Sequence, residues 1–288
     1  MILVRSRRGL RRRLREIRGA ARPGEESTMA LVPTMGFLHE GHLSLVDRAA
    51  ELADHVVVSL FVNPLQFGPS EDLDRYPRDL DRDRKLLAER GASLCFAPSV
   101  DEMYPDGPPR VTVDPGPMAQ GLCGAHRPGH FQGVLTVVAR LFGLFTPDVA
   151  VFGRKDFQQA VLIRRMVRDL EIPVEVETAP IVREADGLAL SSRNALLSPE
   201  ERADAPTLYR ALESARNLFR AGERKAAALL EEVRSRVAET SHLQIQYVEL
   251  VDPEALTPVE RAEDGQVLAL AAFAGATRLI DNVILEAA

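Results

Sequence analysis

Ala30-Leu31-Val32-Pro33-Thr34-Met35-Gly36-Phe37-Leu38-His39-Glu40-Gly41-His42 decides the fold. Met29 to Val32 is an apolar run short enough for a buried strand. Pro33 to Gly36 breaks it, and Leu43-Ser44-Leu45-Val46-Asp47-Arg48-Ala49-Ala50 has the spacing of a helix. A strand, a glycine-bearing turn and a helix start therefore follow one another, with two imidazoles on the helix's first turn. Helix N-termini offer unpaired backbone N–H groups and the positive end of the dipole, which suits phosphate.

The same alternation continues along the chain. Strands are expected at Met29–Val32, Val56–Val62, Ser93–Phe96, Val149–Phe152 and Val174–Val176, with helices near 42–53, 79–90, 131–145 and 157–170. Strands alternating with helices predict a parallel sheet covered on both faces. Val56 to Val62 is β-branched and unbroken, as a central strand buried on both faces should be. Ligands of such sheets bind outside the carboxyl ends of the strands. That directs attention to Pro33–His42, Asn63–Gln66 and Gly153–Asp156.

The last hundred residues follow a different pattern. Ser198-Pro199-Glu200-Glu201 is a helix start, followed by helical patterns at 199–220 and 223–239. Strand candidates at Gln244–Val251, Val267–Ala272 and Thr277–Val283 come next. The expectation is an α/β fold, a Rossmann-like doubly wound parallel sheet over residues 1–182. A smaller C-terminal α+β domain, the natural lid, would cover 183–288.

Bulk properties limit the function classes. The chain has 288 residues, 45% hydrophobic and 27% charged, the composition of a soluble globular protein. No apolar run approaches the roughly 18–20 residues that span a bilayer. The N-terminus lacks the apolar core of a secretory signal. Cys95 and Cys123 show no CxxC spacing, so a reducing cytoplasm is expected. Residues 1–22 hold nine Arg against Glu16 alone, a balance of +8 in a chain of net charge −6, so the remainder stands at −14. Leu10, Leu14 and Ile17 recur at helical spacing there. That fits a docked surface helix with wet arginines, and the acidic remainder argues against nucleic acid.

Two familiar phosphate loops, GxxxxGK[ST] and GxGxxG, are absent. Any nucleotide must rely on His39-Glu40-Gly41-His42. The rival readings of this turn are zinc, whose two helical histidines are usually spaced i, i+4, and plain helix capping. Gly153-Arg154-Lys155-Asp156 is a second strand end and helix start, now with a cation able to neutralise phosphoryl charge. An ordinary capped helix would look the same. Leu190-Ser191-Ser192-Arg193 could form a hydroxyl and guanidinium anion clamp or simply a polar loop. Gln66 and Gln159 suit a polar substrate or an exposed surface equally. Asp81 and Asp83 lie on a charged helix that reads first as a solvated face.

Taken in order, Pro33-Thr34-Met35-Gly36, His39-Glu40-Gly41-His42, Phe61-Val62-Asn63-Pro64-Leu65-Gln66-Phe67, Tyr76-Pro77-Arg78, Arg127-Pro128-Gly129-His130-Phe131, Gly153 to Gln159 and Ser191-Ser192-Arg193-Asn194 closely resemble pantothenate synthetases, the pantoate–β-alanine ligases. The resemblance is dense over 28–200. It implies condensation of pantoate with β-alanine through pantoyl adenylate, with ATP and Mg²⁺ as cofactors and AMP and pyrophosphate released.

By that resemblance Met35, Gly36, Phe37, Leu38, His39, Glu40, Gly41 and His42 line the nucleotide site. Gly153, Arg154, Lys155, Asp156, Val182, Leu190, Ser191, Ser192 and Arg193 complete it. His42, His39, Lys155 and Arg193 would be catalytic, Gln66 and Gln159 would hold pantoate, and Asp83 would stand near the metal. A cytoplasmic homodimer without nucleic-acid or membrane partners is implied. Leu190 stands where relatives more often have Met, and Arg82 interrupts an acidic cluster. A nucleotidyltransferase using a basic acceptor pocket, a non-catalytic ATP sensor and an Arg-rich nucleic-acid arm are the rivals.

Overall fold

The computed structural model describes residues 1–19, 27–68 and 73–287. They divide into two compact units: Met1–Pro115 with Arg127–Arg154 and Leu162–Pro180, and Gly116–His126 with Lys155–Val161 and Ile181–Ala288. Where the sequence pattern places one cut after residue 182, the chain passes between the units at five places. The segment Gly116–His126 goes with the second unit because Cys123 and His126 pack on a tyrosine of that unit's sheet.

The first unit is built on six parallel strands: β1 (Ile2–Val4), β2 (Met29–Thr34), β3 (His55–Leu60), β4 (Leu94–Phe96), β5 (Val149–Gly153) and β6 (Glu175–Ala179), in the order β1-β4-β3-β2-β5-β6. β2 is central and pairs with both neighbours: Ala30 stands opposite Val56 on one side and Val149 on the other. Ala30 and Val32 join Val56 and Val58 in a core covered by Leu43, Val46 and Ala49 of the helix Glu40–Leu52. The alternate residues face the other way: β4's Phe96 meets Phe145 of the helix His130–Phe145 edge-on, ring centroids 5.8 Å apart. A strand covered on both faces must be apolar throughout, which is why β2 and β3 read as continuous runs.

The chain winds from β2 through β3 to β4 on one side and from β5 to β6 on the other. The order therefore reverses between β2 and β5, and the carboxyl ends of those two strands flank the crevice where such sheets bind ligands. The doubly wound arrangement is the one expected.

One feature of this unit lies outside the expectation: the three-residue edge strand β1 is too short to register as a pattern. The Arg-rich stretch forms the expected surface helix, Arg7–Gly19, docked through Leu10 and Leu14, while Arg8, Arg11, Arg12 and Arg15 stay exposed. Arg18 donates to the carbonyls of Phe145 and Thr146, closing acceptors that the end of a helix leaves open. Among the described residues no helix is long and apolar enough to cross a membrane.

The second unit carries an antiparallel sheet, β7 (Leu243–Val251), β8 (Val267–Ala274) and β9 (Thr277–Ile284), in that order. The helices Thr207–Arg220 and Ala226–Ala238 bury Leu212, Phe219, Leu229 and Val233 against Leu268 and Leu270 of β8. The single helix expected over 199–220 is two, Pro199–Asp204 and Thr207–Arg220. Pro206 explains the break, since it lacks an N–H and its ring clashes with the carbonyl four residues back.

Leu10 is fully buried. Leu10→Ala should lower the unfolding free energy by about 2–5 kcal/mol, measured by urea denaturation. Arg8→Gln on the wet face should change it by less than about 0.5 kcal/mol.

Candidate active site

The turn after β2 is held in an unusual conformation. Gly36 has φ 86° and Phe37 φ 52°, a left-handed backbone that a bulky side chain rarely adopts. Gly36 N–H donates to Thr34 Oγ1, whose hydroxyl donates in turn to the Ser59 carbonyl of β3. His39 then caps the helix Glu40–Leu52, and its backbone N–H donates to His42 Nδ1 at 3.4 Å. The two rings lie 4.0 Å apart between centroids, tilted by 34°. Because Nδ1 of His42 accepts, the neutral ring carries its proton on Nε2. Glu40, two residues earlier, instead pairs with Arg90 at 2.7 Å.

Asp83, only 2% exposed, reaches this turn from the helix Leu80–Glu89. Its Oδ2 accepts from Phe37 N–H at 2.8 Å and its Oδ1 from Leu38 N–H at 2.7 Å. Burial raises its carboxyl above the usual range, against the lowering pull of those two N–H donors. Each of its oxygens thus serves the backbone of the turn. Asp81 is almost fully exposed and pairs with Arg84. Among the described residues no three His, Cys, Asp or Glu converge as a ligand set.

Gln66 ends a 3₁₀ turn, Pro64–Gln66, that follows β3. Asn63, nearly fully buried, organises it. Asn63 Nδ2 donates to Gln66 Oε1 at 3.2 Å and to the Gly133 carbonyl at 3.1 Å. Its Oδ1 accepts from Leu65 N–H and from Tyr104 Oη–H at 2.9 Å. Burial pushes the Tyr104 phenol up to about 12, so it remains a donor. Gln66 Nε2 donates to Met35 Sδ at 3.3 Å, joining two expected site residues.

The Gln66 carbonyl accepts from His130 Nδ1 at 2.8 Å and from Arg127 Nη2 at 3.4 Å, while Arg127 Nη1 lies 2.8 Å from His130 Nε2. Arginine can only donate, so His130 accepts at Nε2 and donates from Nδ1. Helix and turn approach so closely that a Cβ on Gly133 would lie 2.2 Å from the Leu65 carbonyl oxygen. Asn63, Tyr104, Arg127 and His130 carry no role in the sequence reading, although three of them lie in its quoted motifs. A buried asparagine just past a strand end was the available signal.

Gly153 ends β5 and Arg154 follows it, both in the first unit, and the second unit holds the remaining expected residues. Lys155 lies in the 3₁₀ turn Arg154–Asp156 and lines a small cleft with Leu188, Ala189, Ser191, Leu208 and Asp281. Val182 and Leu190 are brought together across a tight turn. Leu190 N–H donates to the Val182 carbonyl at 3.0 Å, and Gly187 sits at the bend with φ 95°. Ser191 caps the 3₁₀ turn Ser192–Leu196, its Oγ accepting from Arg193 N–H. Gln159 is half-buried on the first turn of the helix Phe157–Asp169, and its neighbour Gln158 is buried, donating to the Gly121 carbonyl at 2.9 Å.

Strand β9 fastens this cleft. Asp281 receives two hydrogen bonds from Arg183, at 2.6 and 2.9 Å, and Arg183 also donates to the Gly187 carbonyl. The Arg183 guanidinium lies 3.7 Å from the centre of the Tyr209 ring. Asn282 Nδ2 donates to the Lys155 carbonyl at 3.1 Å. Burial raises the Asp281 carboxyl against the lowering effect of Arg183. Two adjacent residues of β9 thus tie the Lys155 turn and the Val182–Leu190 turn to one frame.

Two imidazoles at a helix N-terminus, set at the reversal point of a parallel sheet, form the arrangement of a nucleotide-using α/β enzyme. The pantoate-beta-alanine ligase family model matches residues 3–284, and the chain belongs to that family. A pantothenate synthetase of Thermoanaerobacter sp. (strain X514) is 54% identical over 256 residues, covering 89% of this chain and 90% of that protein. One of Thermotoga petrophila is 53% identical over 262 residues, 91% of this chain and 93% of that one. The crystal structure of pantothenate synthetase from Thermus thermophilus superposes with a TM-score of 0.90 at 49% identity, over 99% of this chain and 100% of that one. The pantoate-beta-alanine ligase of Francisella tularensis, solved in complex with beta-gamma ATP and beta-alanine, superposes with a TM-score of 0.80 at 32% identity, over 100% and 99%.

Removing one partner of a buried ion pair strands the other charge, so Asp281→Ala should destabilise the protein by about 3–5 kcal/mol. Replacing Arg183 by Met as well should recover part of that loss, read by guanidinium denaturation.

Proposed function

We propose that His39, His42, Gln66, Lys155, Gln159 and Arg193 carry the reaction of this family. The chain is an ATP-dependent pantoate–β-alanine ligase. Pantoate's carboxylate is a poor acylating agent. It therefore attacks the α-phosphorus of ATP first, forming the mixed anhydride pantoyl adenylate and expelling pyrophosphate. The β-alanine amine then attacks the activated carbonyl, the amide bond forms, and AMP leaves with the bonding electrons.

The observation that carries the residue assignment is the hydrogen bond from the His39 N–H to the His42 ring. Its Nδ1 is engaged by the His39 N–H, so Nε2–H is the donor offered to a phosphate oxygen. Fixed donors aimed at developing charge stabilise a transition state without reorganising as it forms. In this reading Met35 to His42, with Gly153, Arg154, Asp156, Val182, Leu190, Ser191 and Ser192, line the nucleotide. Lys155 and Arg193 neutralise the charge passed to pyrophosphate. Gln66, its amide held by Asn63 and Met35, takes the pantoate hydroxyl and carboxylate side with Gln159. Mg²⁺ would arrive on the nucleotide's phosphates, since it usually binds through substrate phosphates and few carboxylates. A homodimer in the cytoplasm belongs to the same reading.

The decisive measurement is isotope exchange. With ATP, Mg²⁺ and pantoate, but no β-alanine, pyrophosphate should exchange into ATP, and only when pantoate is present. A folded protein showing no such exchange would sink the adenylate reading. Lys155→Ala should slow the exchange by about 10²–10³ while leaving the unfolding curve nearly unchanged.

A further inference from the structure

The left-handed backbone at Gly36 and Phe37 persists only where its surroundings hold it. Two consecutive residues of the helix Leu80–Glu89 do so. Asp83 takes the N–H groups of Phe37 and Leu38, one on each carboxylate oxygen. Arg82 Nη1 donates to the Leu38 carbonyl at 2.9 Å, and its guanidinium lies 5.4 Å from the centre of the Phe37 ring. Residue 38 is thus gripped at both its donor and its acceptor. The next residue is His39, whose N–H orients His42 through Nδ1. An unbroken series of contacts runs from Asp83 through the turn to the imidazole pair.

The family resemblance puts Asp83 near a metal. Here its oxygens serve the backbone, and Arg82 places a positive charge beside it where some relatives carry acid. A neighbouring cation weakens any attraction for a divalent ion. We propose that Arg82 and Asp83 are positioning residues that set the His39–His42 turn for adenylate formation, and that Asp83 holds backbone rather than metal. This rests on the adenylate-forming reading above. The histidines serve the phosphates of ATP, so the clamp acts on the first half-reaction. Attack of β-alanine on adenylate already formed does not depend on it.

Asp83→Asn keeps the shape but presents an amide NH₂ to one of the two N–H donors. Pantoate-dependent pyrophosphate exchange should fall about a hundredfold, the scale of a misplacement of about 1 Å. AMP release from chemically supplied pantoyl adenylate plus β-alanine should stay near the unsubstituted rate. The Mg²⁺ concentration giving half-maximal exchange should not move. Arg82→Ala, at an exposed position, should show the same split with a smaller loss, and it carries the test if Asp83→Asn fails to fold. Equal losses in both half-reactions, unaltered exchange, or rescue of Asp83→Asn by excess Mg²⁺ would each overturn the proposal. Amide hydrogen exchange reads the clamp apart from catalysis. The Phe37 and Leu38 amides should lose protection in Asp83→Asn, and retained protection refutes the clamp. Absence of pyrophosphate exchange in the unsubstituted protein would fail the adenylate reading while leaving that amide result to decide the clamp.

Discussion

Strand β2 is hydrogen-bonded on both edges and covered on both faces, and this burial organises the first unit. Ala30, Leu31 and Val32 have no exposed surface, so the strand can emerge only at its ends. Its carboxyl end comes out where the winding of the sheet reverses, and the next helix must begin there. The first helical turn then lies at the mouth of the crevice. The site is in that sense a by-product of topology, because a strand buried this thoroughly leaves the following turn no other place to go. What topology does not supply is the orientation of the side chains on that turn. Orientation comes from polar contacts: Asp83 and Arg82 on the backbone of residues 37 and 38, and the His39 N–H on the His42 ring.

The elements of the sheet were legible because their cause is local. Val56, Val57 and Val58 must be apolar to be buried on both sides, and that requirement is written in consecutive letters. The Pro206 break was equally available and was overridden by the helical periodicity around it. β1 was not legible, since three residues cannot display a period. The chemical residues divided in the same way. His39, His42, Lys155 and Ser191 stand beside strand ends or helix starts, so position along the chain advertises them. Asp83 does not. It lies on a helix whose neighbours are charged and wet, and only the fold, bringing residue 83 to residues 37 and 38, turns it inward. Asp281 and Arg183 are hidden for the same reason, since their partners lie about a hundred residues apart. Long-range hydrogen bonds leave no periodic trace in a sequence.

Both units use one device. A turn bearing expected site residues is tied to a helix or strand by a carboxylate whose two oxygens both accept hydrogen bonds. Asp83 does this with two backbone amides, Asp281 with the two arms of a guanidinium. Neutral partners suffice for Asp83, because backbone N–H groups at a strained turn have no better acceptor. Asp281 lies deeper, and an ionised carboxylate there needs a full counter-charge.

The helix His130–Phe145 has a further consequence. One end meets the Gln66 carbonyl through His130 and crowds the Leu65 carbonyl at Gly133, while the other is closed by Arg18. It is a single stiff lever joining the arginine-rich N-terminal helix to the glutamine pocket. A disturbance of the Arg7–Gly19 helix would therefore be felt at the turn that carries Gln66, far from where it was introduced.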